Sequence, residues 1–77
     1  MALEDLREFI QEEIMNLAFK KVDFNQSLIK SKLLDSISII DLIVSIEEKT
    51  GKKIPQHLMK DENFDSINQI IHTLDQI

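Results

Sequence analysis

Apolar residues recur along much of this chain at spacings of three and four. Leu3, Leu6, Ile10, Ile14 and Leu17 alternate with Glu4, Asp5, Arg7, Glu8, Gln11, Glu12 and Glu13, which predicts an amphipathic helix from about residue 3 to about 18. Phe9 and Ala18 widen its apolar face, and Glu4 and Asp5 fall at the positive end of the helix dipole. A second helix is expected from Ser36 to about Thr50. Asp35 stands where an N-cap belongs. Lys49, Lys52 and Lys53 suit the negative end of the dipole, Gly51 can take the left-handed stop, and Pro55 forbids continuation. A last helix from Ser66 to about Gln76 carries Ile67, Ile70, Ile71, Leu74 and Ile77 on one face, with Ser66 and Gln69 spaced as a capping box.

The segments between are less regular. From residue 19 to about 34 no period persists, and Asp23, Asn25 and Ser27 favour turns. Phe24, Leu28, Leu33 and Leu34 are expected to pin this long connection to the core, with a short helical turn near Ser27-Leu28. After Pro55 the chain reads as a loop with at most a short helix, anchored by Leu58, Met59 and Phe64. Three longer helices, one short helix and a long first connection predict an all-α fold, a small four-helix bundle formed by residues 1–77 as one domain.

The second helix is more apolar than one stripe requires. Ile37, Ile39, Ile40, Leu42, Ile43, Val44 and Ile46 separate, at about 100° per residue, into two arcs. Ile39, Leu42, Ile43 and Ile46 form the natural core face. Ile37, Ile40 and Val44 form a second arc beside Asp41 and Glu48, with Glu47 at its other edge. Two readings are open: a central helix buried on most sides, or an exposed apolar strip with an acidic border that marks a contact site.

Composition narrows the function classes. A net charge of −5 disfavours nucleic acid and anionic membrane as partners. No apolar run reaches the length of a membrane span, the first residues are acidic where a signal peptide is basic, and there is no cysteine. The expectation is a cytoplasmic monomer without stable membrane insertion. His57 and His72 are the only histidines and lie fifteen residues apart, so a metal centre or a serine triad would need tertiary coincidence. The pairs Glu12-Glu13 and Glu47-Glu48 point different ways on their helices, and a single glycine leaves no phosphate cradle. The chain is expected not to be an enzyme.

One tripeptide occurs twice, as Asp35-Ser36-Ile37 and as Asp65-Ser66-Ile67. A hydroxyl at a helix start is ordinarily a cap, and Ser66 reads that way. Ser36 lies one residue inside the Asp35 cap and leads into the apolar strip, so its hydroxyl is freer to be modified. A phosphate there would face the positive helix end and unpaired amides.

Asn25-Gln26-Ser27-Leu28, Leu33-Leu34-Asp35-Ser36-Ile37, Asp41-Leu42, Glu47-Glu48, Ile54-Pro55 and Asn63-Phe64-Asp65-Ser66-Ile67 together resemble the acyl and peptidyl carrier protein family over nearly the whole chain. The resemblance implies a four-helix bundle of acyl-carrier type. Its serine, here Ser36 with Asp35 adjacent, receives covalent 4′-phosphopantetheine from coenzyme A through a phosphopantetheinyl transferase. The arm's thiol would carry an acyl or aminoacyl group as a thioester from a loading enzyme (a ligase or adenylating enzyme) to a downstream transferase or synthase. Ile37, Ile40, Asp41, Val44, Glu47 and Glu48 would face those partners. Three departures stand out. Lys32 and Leu33 occupy the region where the family often has glycine. Ser38 stands where an acid is common. Lys49, Lys52 and Lys53 replace positions commonly acidic in fatty-acid carriers. The Leu-Leu-Asp-Ser-Ile approach and the Asn-Phe-Asp-Ser-Ile ending look closer to free-standing carriers such as the D-alanyl carrier protein. The alternatives are a fatty-acid or polyketide carrier and an unmodified, carrier-like interaction module. Ile39, Leu42, Ile46, Ile54 and Ile71 are apolar enough to shelter a carried chain, although such cores ordinarily just pack.

Overall fold

A computed structural model describes residues 3–77, and of Leu3 the backbone only, so the expectations for Met1, Ala2 and the Leu3 side chain lie outside the described residues. Helix α1 spans Leu3–Ala18 and buries Leu6, Ile10 and Ile14, with Phe9, Leu17 and Ala18 packed at the margin. It ends where Phe19 takes a left-handed φ of 57° and its amide bonds the Met15 carbonyl at 2.8 Å.

The connection to α2 is ordered by the core and by a carboxylate. Val22, Leu28 and Leu34 are buried, with Phe24, Ile29 and Leu33 half-buried. The expected helical turn near Ser27-Leu28 is instead a pair of non-helical turns, around Phe24-Asn25 and over residues 29–32. What holds this stretch is Asp65. Its Oδ1 accepts the Ile29 and Lys30 amides at 2.9 and 3.0 Å, and the Ser27 hydroxyl donates to both of its oxygens at 2.9 and 3.0 Å. The Gln11 side chain adds a bond to the Val22 carbonyl at 2.6 Å, and the Asn68 amide reaches the Phe24 carbonyl at 3.0 Å.

Helix α2 spans Ser36–Thr50 and turns Ile39, Leu42, Ile43 and Ile46 inward, the arc that spacing assigned to the core. Gly51 stops it with φ 71°, its amide returning to the Glu47 carbonyl at 2.9 Å. A side chain there would meet nothing within 4 Å, so glycine is favoured by the dihedral alone. Beyond Pro55 a 3-10 turn, Gln56–Leu58, precedes the one-turn helix α3, Asp61–Phe64. Phe64 is buried and Leu58 half-buried, but Met59, expected to anchor this stretch, is 46% exposed.

Helix α4 spans Ile67–Asp75, one residue shorter at each end than the expected Ser66–Gln76. Ile67, Ile70, Ile71 and Leu74 are buried and Ile77 packs at the edge. Thr73 lies in the same core, its hydroxyl satisfied by the Gln69 carbonyl at 2.9 Å. Helix α1 packs against both α2 and α4, and α3 lies on α4. The result is an all-α four-helix bundle with three longer helices, of acyl-carrier type. No helix among the described residues is long and apolar enough to cross a membrane.

Candidate functional site

The two Asp-Ser-Ile copies open their helices one residue out of step. At α2 the cap is the aspartate: Asp35 has extended φ and ψ and its Oδ1 accepts the Ser38 amide at 2.8 Å. That bond, with the Ser38 hydroxyl in support, holds the Asp35 carboxyl below its ordinary value of 3.8. Ser36 is thereby the first residue of the helix proper, exposed, and relieved of capping. At α4 the cap is the serine. The Ser66 hydroxyl accepts the Gln69 amide at 3.1 Å and the residue is only 7% exposed. Asp65 precedes it and turns back to the long loop.

The second arc of α2 lies in solvent. Ile37 is 72% exposed, Ile40 59% and Val44 46%, which rules out the reading of a helix buried on most sides. Asp41 and Glu48 border it and are exposed. Glu47 is placed differently: it is half-buried, and its Oε2 accepts the Ile54 amide at 2.9 Å, tying the chain after Gly51 to the helix. Of the two neighbouring glutamates, Glu48 alone is fully presented outward.

Beside Ser36 a crevice of about 220 Å³ opens between α2 and α3. Ile29, Ile39, Ile43 and Phe64 supply apolar walls, and Asp35, Ser36, Ile40, Met59, Lys60 and Asp61 complete its lining. The residues singled out in the sequence as able to shelter a chain divide here. Ile39 lines the crevice, while Leu42, Ile46, Ile54 and Ile71 are closed into the core. Ile29, Met59, Lys60 and Asp61 come from segments without periodicity, and only the apolar pairs Leu28-Ile29 and Leu58-Met59 in polar surroundings could have signalled them. Among the described residues no group of three or more metal-ligating side chains is assembled.

A small all-α bundle with an exposed serine at the start of its most apolar helix, flanked by an exposed apolar strip and an apolar crevice, has the architecture of a carrier domain. Two acyl carrier proteins, from Arthrobacter sp. (strain FB24) and Paenarthrobacter aurescens (strain TC1), are each 36% identical to the chain over 58 residues, 75% of its length and 70% of theirs. No family model matches the chain. The chain belongs to the acyl carrier protein family, and its role in general is that of a carrier.

Proposed function

We propose that the protein is a free-standing carrier that holds an acyl or aminoacyl group as a thioester on a 4′-phosphopantetheine arm attached to Ser36. The observation that carries this reading is the contrast between two serines in identical tripeptides. Ser36 is exposed at the first position of α2 while Asp35 does the capping, whereas Ser66 is buried and caps α4 itself. The surroundings of Ser36 fit the group. The first-turn amides of α2 suit the phosphodiester's charge, and the apolar crevice beside it suits a hydrocarbon cargo. That crevice favours acyl chains, as in fatty-acid or polyketide synthesis, over a small aminoacyl group. A phosphopantetheinyl transferase supplies the arm from coenzyme A. Ile37, Ile40, Asp41, Val44 and Glu48 then meet a loading enzyme and a downstream transferase or synthase in turn, with Glu47 at the margin of that surface. Contacts through exposed charges are transient and weaken with salt. The protein acts as a single cytoplasmic domain and a monomer, without catalysis of its own.

Incubation with coenzyme A and a broad-range phosphopantetheinyl transferase, followed by intact-mass measurement, tests the assignment. The wild type gains one arm, Ser36→Ala gains none, and Ser66→Ala still gains one while losing about 1 kcal/mol of stability with its cap. Absence of any gain in the wild type with several transferases would leave the unmodified interaction module as the better reading. Loss of loading in Ser66→Ala but not in Ser36→Ala would move the site.

A further inference from the structure

The exposed strip of α2 changes sign along its length. Asp35 and Asp41 lie toward the Ser36 end and Glu48 toward the other, but immediately beyond Glu48 the Gly51 turn brings out Lys52 and Lys53, both exposed. These lysines share a shallow groove of about 420 Å³ with Val44 and Glu48, so they continue the strip. Nearby charges are engaged within the fold. Lys49 lies over the Phe9 ring at 5.3 Å, and Glu47 holds the Ile54 amide. The Lys52 ammonium makes a long contact, 3.4 Å, to the Leu74 carbonyl. At 1.5 Å per residue, the end of the helix where the lysines emerge lies roughly 13 Å beyond Asp41. In a chain of net charge −5, this pair makes a local positive end on an otherwise acidic docking face. A uniformly basic partner is attracted by the whole molecule and repelled at that end.

We propose that the strip docks partner enzymes whose surface carries both signs, with cations opposite Asp41 and Glu48 and a carboxylate cluster opposite Lys52 and Lys53, just past Glu48 and roughly 13 Å along the helix axis from Asp41. The lysine pair selects such partners against those with uniformly basic docking faces. The proposal rests on the carrier reading above and adds the chemistry of the partner.

The test uses the 77-residue chain converted completely to the arm-bearing form with a broad-range transferase. Each variant is then added to a desalted extract of the native host supplied with ATP and coenzyme A. The initial rate of acylation is read by intact mass. Lys53→Glu should slow loading about threefold and Lys52→Glu/Lys53→Glu about tenfold, while Lys52→Arg/Lys53→Arg stays within about twofold of wild type. Added salt should slow the wild type more than the double reversal. Thermal melting accompanies each variant. Where the double reversal loses stability with the Leu74 contact, Lys53→Glu decides, since Lys53 can be reversed without touching that contact. Equal or faster loading of Lys53→Glu overturns the proposal, as does an arm-bearing wild type that the extract never loads. Failure of the carrier reading shows separately, as a wild type that never acquires the arm from coenzyme A.

Discussion

Asp65 and Ser66 divide between them two tasks that Asp35 performs partly and Ser36 not at all. Ser66 closes the first turn of α4, and Asp65 ties that corner to the loop that delivers the chain to Ser36. Burial alone would raise the Asp65 pKa, but the Lys30 and Ile29 amides, the Ser27 hydroxyl and the Lys30 charge outweigh it and leave the carboxyl below its ordinary 3.8. Asp65→Ala should therefore cost about 1–2 kcal/mol after allowance for solvent screening, read by urea denaturation, with faster amide exchange at Ile29 and Lys30. A group whose folded pKa is lowered contributes its stabilisation in full above its unfolded pKa and loses it as pH falls through the folded value. The stability gap between wild type and Asp65→Asn should hold at neutral pH, begin to narrow as the pH approaches 3.8, and close only below the lowered folded value. The Ser66 cap was legible in the sequence because its partner is three residues away. The Asp65 tie was not, because its partners lie 35 to 38 residues back.

At the scale of the element, boundaries were legible where the sequence carries stop signals. Asp35 and Gly51 bracket α2 at the residues expected, because capping and left-handed termination are local chemistry. Helix α3 carried no such signal: a single turn that buries Phe64 alone has no period to detect. Two other turns use left-handed residues that are not glycine, Phe19 at φ 57° and Lys32 at φ 62°. Lys32 explains the missing glycine before Asp35: the loop adopts a conformation that glycine enters at lower cost, and the lysine bears the strain. Lys32→Gly and Phe19→Gly should each raise stability by up to about 1 kcal/mol in urea denaturation. Phe19 is 91% exposed, so removing its ring sacrifices little buried surface. A loss at either position would mean that the side chain contributes a contact outweighing its backbone strain.

Across the whole molecule, α2 serves the core with one face and faces solvent with the other, and the two faces respond to truncation differently. Ile46 is fully buried, and Ile46→Ala should cost about 3 kcal/mol by urea denaturation, a large share of the roughly 4–12 kcal/mol expected for a chain of this size. Ile40 is 59% exposed, and Ile40→Ala should change stability by less than about 0.5 kcal/mol while slowing cargo loading in the native-host extract. Equal destabilisation by both would contradict the division of faces. That division was half legible: spacing resolved two arcs, but a helix packed on both sides would show the same arcs. Exposure of Ile37, Ile40 and Val44 follows from where α1 and α4 end up, which no local pattern encodes. The crevice beside Ser36 was less legible still, since its walls come from the long loop, α2 and the chain around α3.

The one-residue offset between the two Asp-Ser-Ile copies means that their difference resides in the fold. In the unfolded chain Asp35-Ser36-Ile37 and Asp65-Ser66-Ile67 are the same three letters with equally accessible hydroxyls. Folding leaves one hydroxyl exposed at the helix start and buries the other as a cap. If Ser36 bears the arm, a transferase that acts on native protein finds a single address, and the stoichiometry of labelling becomes a report on whether the second serine is still locked away.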